Sequence, residues 1–308
     1  MAPLLRPDVL VLAAGGVVGE AWMTGVLAGI EAETDIDFRR VEAFVGTSAG
    51  SIVSASLAAG RRPRRPDESR GPTRAEAAFG ERRAQERGPS VGAGAIRTAA
   101  RMGGAVTAPF APGALRFLAP GGALARAALL SRVPAGGRPL TELRREVDRW
   151  GARFDGRLRI CTVERGTGRR VVFGAPGAPP AAVGEAVEAS CAVPWVFRPV
   201  TIGGKVYVDG GAWSLTNLDA APAGRESHVL CLSVTATALT EAPSSPSGLL
   251  RAAARPAIAV EIAAVRRRGA HVKLIGPDTD LGTNLLDPRG APAALAAGFA
   301  QGRKVAKG

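Results

Sequence analysis

Gly46-Thr47-Ser48-Ala49-Gly50 is the stretch of this 308-residue chain best suited to carry chemistry. A serine in the pattern G-x-S-x-G, between a strand and a helix, is the arrangement of a nucleophile elbow. The turn is tight, and the glycines let the adjacent backbone come close. The hydroxyl is exposed at the start of a helix, where free N–H groups and the positive dipole end favour a developing anion. The plainer reading of the same residues is a serine capping a helix N-terminus.

A nucleophilic serine needs a base. The chain has two histidines, His228 and His271, each directly ahead of an apolar run, in "ESHVLCLSV" and "GAHVKLIGP". That end of a parallel strand lies opposite the carboxyl ends, where open α/β sheets bind ligands, so both are expected to be structural or exposed. A Ser-His-Asp triad in the usual α/β-hydrolase order needs one of them, and its nucleophile normally follows more than the two strands available before Ser48. Asp209 is the better candidate. In "KVYVDGG" it ends a strand, and Gly210 and Gly211 let the backbone turn sharply and approach closely. A carboxylate within reach of Ser48 can take its proton and return it to a leaving alcohol. By itself, Asp-Gly-Gly also fits a hairpin turn.

The elements around these residues follow from periodicity. "DVLVL" at residues 8–12 reads as a buried strand, and residues 20–31 as a helix, joined by a turn at Gly15 and Gly16. Residues 41–45 form a second strand leading into the serine motif, and "SIVSASLAAG" a helix that stops at Gly60. Short helices are expected near 95–102 and 122–131, then a helix in "RPLTELRREVDRW". A strand pair "LRICTVER" and "RRVVFGA" turns at residues 166–168. A helix in "AVGEAVEASCA" and strands in "KVYVDGG", "HVLCLSV" and "HVKLIGP" follow, with Pro256 expected to kink or break the helix between the last two. Such alternation indicates a layered α/β/α fold with a largely parallel central sheet.

Composition narrows the classes further. The chain is 46% hydrophobic and 22% charged, with no run of about 20 apolar residues, so no membrane-spanning helix is expected. The N-terminus imitates a signal peptide, but Asp8 interrupts it and no long apolar core follows before Glu20. Cys161, Cys191 and Cys231 are widely spaced and odd in number, which suits reduced, buried thiols in a cytosolic protein. Net charge is +13, and most of the excess lies in one segment. Residues 61–88 hold nine Arg against five acidic residues, and residues 88–141 contain no acidic residue but six more Arg. Residues 61–138 read either as a loosely structured insertion or as a cap whose basic and apolar residues meet an anionic membrane surface. Nucleic acid is disfavoured, because interleaved aromatics and a recognition motif are lacking.

Three blocks, in this order, resemble the patatin-like phospholipase family. "LAAGGVVGEAWMTGVL" is similar to its glycine-rich oxyanion block and "GTSAGS" to its nucleophile elbow. "EASCAVPWVFRPVTIGGKVYVDGG" is similar to the approach to its catalytic Asp-Gly-Gly, in the spacing from Pro194 through Phe197, Pro199, Val200, Ile202 and Tyr207 to Asp209. The resemblance implies a Ser-Asp dyad without histidine, with Ser48 as nucleophile and Asp209 as base. It also implies an oxyanion hole of backbone amides at Gly15, Gly16, Val17 and Ala49, with Gly46, Gly50, Gly210 and Gly211 supporting the turns. A dinucleotide loop is disfavoured at Gly15, since G-G-x-x-G lacks the G-x-G-x-x-G spacing.

The chain departs from that family at Ala14 and Val18. They stand where a third glycine and a basic residue are usual, with one extra residue near Glu20. The missing cation bears on whether the substrate is a phospholipid or a simpler acyl ester. Cys191 stands where a small or hydroxyl residue is common and is read as packing, not as a nucleophile. The segment 61–138 has no counterpart. The resulting expectation is a cytosolic serine acyl hydrolase, one patatin-like catalytic domain over residues 1–308 with a lid-like insertion at 61–138. It would cleave lipid carboxylic esters in the manner of a phospholipase A or lysophospholipase, with peripheral contact at an anionic membrane. No metal or organic cofactor is expected, because no His, Cys or carboxylate cluster has ligand spacing. The alternatives are a soluble carboxylesterase or thioesterase, and a catalytically silent lipid-binding protein of the same fold.

Overall fold

A computed structural model of the chain describes residues 4–67, 122–133, 137–236, 246–282 and 284–308, and only the backbone of residues 246–254. The first βα unit is β1 (Val9–Leu12) and α1 (Gly16–Glu33), and the second is β2 (Ala43–Thr47) and α2 (Ala49–Ala58). Helices α3 (Ala123–Leu130) and α4 (Thr141–Trp150) precede β3 (Leu158–Glu164) and β4 (Arg170–Phe173). Then come α5 (Val183–Ser190), β5 (Val200–Ile202), β6 (Lys205–Asp209) and β7 (His228–Leu232). The chain closes with α6 (Pro246–Arg266), β8 (His271–Ile275) and α7 (Ala291–Lys307).

The eight strands form one sheet in the order β5-β6-β3-β2-β1-β7-β8, with β4 also paired to β3. Strands β3, β2, β1, β7 and β8 are mutually parallel, and β6 and β4 run antiparallel to β3. Alternation along each strand feeds two cores. Leu10, Leu12, Phe44, Leu230 and Leu232 face one, with buried residues of α1, α2, α4, α5 and α7. Val9, Val11, Ala43, Val45, Val229 and Cys231 face the other, with Leu218 and Val265. The result is a layered α/β architecture with a mostly parallel sheet between helices.

Several boundaries differ from the periodicity. Helix α1 begins at Gly16, not near residue 20, because the glycine turn is itself the first helical turn. Strand β2 runs to Thr47 and starts at Ala43, since the ladder begins where Ala43 meets Val9 of β1. Pro256 lies inside α6 without breaking it, one lost ladder bond being carried by the rest of a 21-residue helix. Helix α7, which the patterning did not single out, packs along α1 through a double row of glycines. A Cβ on Gly25 or Gly29 would strike the carbonyls of Leu295 and Phe299, and one on Gly298 or Gly302 those of Trp22 and Val26. The expected helix near 122–131 is α3, whereas that near 95–102 lies outside the described residues. Among the described residues, no helix is long and apolar enough to cross a membrane.

Candidate active site

The register on β3 assembles the site. β4 occupies one edge of β3 from Ile160 to Val163. The other edge carries β2 up to Thr47 opposite Cys161, and then β6 from Asp209 opposite Thr162. Where β2 leaves the sheet to make the serine turn, β6 delivers Asp209 beside it. Parallel pairing of Leu12 with Gly46 brings the loop after β1 to the same end.

Ser48 sits on a strained elbow, with φ 53° and ψ −122°, a conformation that side-chain-bearing residues rarely adopt. The motif glycines explain how the turn fits. A Cβ on Gly50 would overlap the carbonyl of Leu12, and one on Gly46 would lie 2.6 Å from the Cα of Ser51. The Ser48 N–H donates to Ser190 Oγ at 2.9 Å, and Ser190 Oγ donates to the Cys161 carbonyl at 2.7 Å. Ser51 ties down the other side, its N–H and hydroxyl both donating to the Ser48 carbonyl, at 2.8 and 2.6 Å.

Asp209 is 3% exposed. Its Oδ1 accepts the Gly211 N–H at 2.7 Å, and its own N–H donates to the Ala192 carbonyl at 3.0 Å. The Ser48 side chain lies near enough to the carboxylate to lower its proton affinity. Burial pushes the Asp209 carboxyl up from 3.8 to about 7, against the opposing pull of the Ser48 side chain and the Gly211 hydrogen bond. Gly210 is needed for close approach, since a Cβ there would meet the Cys161 carbonyl.

The glycine loop lies against both segments. A Cβ on Gly211 would stand 3.8 Å from that of Ala14, and Gly50 packs on Leu12 and Ala13. Gly15 caps α1, and Gly16 has φ +58°, with the Leu285 carbonyl 2.5 Å from where its Cβ would be. Among the described residues, no acceptor takes the N–H groups of Gly15, Gly16, Val17 or Ala49, whereas the Val18 N–H donates to the Leu285 carbonyl at 3.1 Å. Val18 is buried, packed toward Gly290.

The groups set aside by sequence lie elsewhere or are inert. His228 and His271 pair in register at the N-terminal ends of β7 and β8, away from the carboxyl ends that carry the site, their rings stacked at 5.1 Å. All three cysteines are buried and free. Burial pushes the Cys161 thiol up to about 12 and raises those of Cys231 and Cys191, the latter also through the nearby Asp209 charge. Among the described residues, no group of three or more His, Cys, Asp or Glu is placed to hold a metal ion. The sequence reading missed Ser190, Asn217 and Leu285. No local motif marks them, since each acts on a segment far away in the chain.

The chain resembles the crystal structure of VipD from Legionella pneumophila at a TM-score of 0.42 and 12% identity, over 99% of this chain and 67% of that one. Among curated proteins, none matches the sequence. A family model described as patatin-like phospholipase matches residues 10–222, which hold the glycine loop at Gly15 and Gly16, Ser48 and Asp209. Well over half of the chain is covered by that match, and the chain belongs to the patatin-like phospholipase family.

Proposed function

We propose that the chain is a serine acyl hydrolase acting on carboxylic esters of lipids, with Ser48 as nucleophile and Asp209 as general base. The observation that carries this reading is the β3 register that sets the Ser48 turn beside Asp209, a buried carboxylate pushed up to about 7, where it accepts and returns protons near neutrality. Ser48 Oγ attacks the ester carbonyl as its proton passes to Asp209. The tetrahedral oxyanion is received by the N–H groups of Gly15, Gly16, Val17 and Ala49, each well-placed donor contributing about 3 kcal/mol. Collapse breaks the ester C–O bond, and Asp209 protonates the leaving alcohol. A water then gives its proton to Asp209 and attacks the acyl-serine, and the proton returns to Ser48 as the fatty acid leaves.

Lipid is the favoured substrate class because the family acts on lipids. An exposed Trp195 supports the same choice, held at φ 64° in the turn that follows Ala192, the residue accepting the Asp209 N–H. The domain is read as one catalytic unit with its insertion at 61–138, which contacts an anionic membrane surface from a cytosolic protein. Deleting residues 69–121 tests that contact: unchanged binding to anionic vesicles removes it.

The experiment on the dyad is a fluorophosphonate probe with Ser48→Ala and Asp209→Asn as controls. Labelling that disappears in Ser48→Ala and slows sharply in Asp209→Asn supports the reading. A folded wild-type protein that takes no label, yet binds vesicles, sinks it in favour of a silent lipid-binding protein. The feature that favours that second reading is the altered glycine loop, with Ala14 and a buried, uncharged Val18 where the family usually carries a glycine and a basic residue.

A further inference from the structure

Asn217 has a conformation and a set of partners that its position in the sequence does not explain. It is fully buried and left-handed, with φ 49° and ψ 33°, one of four non-glycine residues of positive φ among those described. Its Nδ2 donates to the Ser214 carbonyl at 2.7 Å and to Thr47 Oγ1 at 3.1 Å, with a longer contact of 3.4 Å to the Gly210 carbonyl. Its Oδ1 accepts from Arg170 Nη1 at 3.2 Å, and Arg170 Nη2 is held in turn by Asp219 at 2.8 Å.

Two of these partners matter because of their neighbours. Thr47 immediately precedes Ser48, and Gly210 immediately follows Asp209. One carboxamide therefore touches both halves of the Ser48–Asp209 pair, which the backbone links only through a long excursion of chain. The loop carrying Asn217 is clamped from behind. Glu261 of α6 accepts the Leu218 N–H at 2.8 Å and the Thr216 hydroxyl, and Ser214 Oγ accepts the Asn217 N–H at 3.1 Å. Thr47 is two residues on from Val45, so its side chain belongs to the sheet face of Ala43 and Val45, opposite the face covered by α2. The β3 edge sets the pair along the sheet, and Asn217 holds it from the face away from α2.

We infer that Asn217 is a positioning residue that sets the separation of Ser48 and Asp209 by tying Thr47 to Gly210. The inference rests on the acyl hydrolase reading and deepens it. A side-chain amide suits the task because it offers two N–H donors and an acceptor in one rigid plane. Asparagine also tolerates the left-handed backbone that the short turn requires. If the link is lost, the two segments relax independently, and the Ser48 contact that pulls the Asp209 carboxyl downward weakens.

The test uses Asn217→Gly, which keeps the left-handed backbone, together with Thr47→Val, Thr47→Ser and the double variant Thr47→Val/Asn217→Gly. Rates on a short-chain p-nitrophenyl ester are expressed per site titrated with fluorophosphonate, so loss of folded protein does not count as loss of rate. Asn217→Gly is expected to lower kcat about 10- to 100-fold with KM within about twofold. Its acid limb in the pH profile moves to higher pH. Thr47→Val falls in the same direction, Thr47→Ser retains the oxygen and stays within about threefold of wild type, and the double variant is less than additive. Unchanged kcat per titrated site with an unmoved acid limb, accompanied only by a lower Tm, overturns the inference and leaves the dyad standing. Additive effects of Asn217→Gly and Thr47→Val also overturn it. A folded wild type that takes no probe removes the dyad itself, and the inference falls with it.

Discussion

Thr47 and Asp209 occupy consecutive stations on one edge of β3, Thr47 opposite Cys161 and Asp209 opposite Thr162. β2 gives up that edge where β6 takes it over, so a serine at the end of one strand meets a carboxylate at the end of another. The Asp209 carboxyl thereby lies in the sheet, out of water, and its burial raises its proton affinity toward neutrality.

The first consequence is kinetic. Asp209 must be ionised to act as base, and its carboxyl is pushed up to about 7. The rate kcat/KM is expected to rise about tenfold per pH unit below 7 and to level off above it. His228→Gln/His271→Gln should leave this limb in place and kcat/KM within about twofold. A limb displaced by the double variant would assign the titration to an imidazole instead.

The same carboxyl predicts a gain in stability when the base is removed. Its folded-state affinity lies above the ordinary 3.8, so its stabilising contribution is present below about pH 4 and is lost as pH rises through 7. Asp209→Asn removes that penalty. Urea unfolding is expected to show a gain on the order of 4 kcal/mol at pH 8–9, from roughly three pH units at about 1.4 kcal/mol each, shrinking toward zero at pH 4. Equal effects at both pH values would contradict a buried, desolvated Asp209.

Ser190 is expected to matter for both stability and rate. Ser190→Ala removes the hydroxyl that joins the Ser48 N–H to the Cys161 carbonyl in a buried site. The cost is about 1–3 kcal/mol in denaturant unfolding, with kcat lowered about tenfold because the strained Ser48 turn loses an anchor. A variant with wild-type stability and rate would show that the elbow holds itself.

The packing of α7 on α1 gives a prediction remote from the dyad. Gly29→Ala places a methyl on the Phe299 carbonyl and forces the helices apart. It is expected to destabilise by about 1–3 kcal/mol. Gly224→Ala, which meets open space, serves as the control and should change little. Matching Tm values for the two variants would mean that the helices separate without cost.

Much of the site was legible because its signals are local. A G-x-S-x-G between strand and helix, an Asp-Gly-Gly at a strand end and a paired glycine at a strand-to-helix turn each announce a backbone demand within a few residues. The unbroken apolar runs of β1, β2 and β7 likewise mark strands buried on both faces, though not which residues face which core. Tertiary structure decided the rest. That β2 and β6 share one edge of β3 is a matter of strand order, which no local pattern contains. The start of α1 at Gly16 depends on a helix terminus whose Val18 N–H is satisfied by Leu285, far along the chain. Ser190 and Asn217 are ordinary polar residues by type, and they gain a role only through hydrogen bonds to segments remote in sequence. The proton affinity of Asp209 belongs to the same class. The residue type sets where a carboxyl starts, and only the packing around it removes the water that would have kept it there.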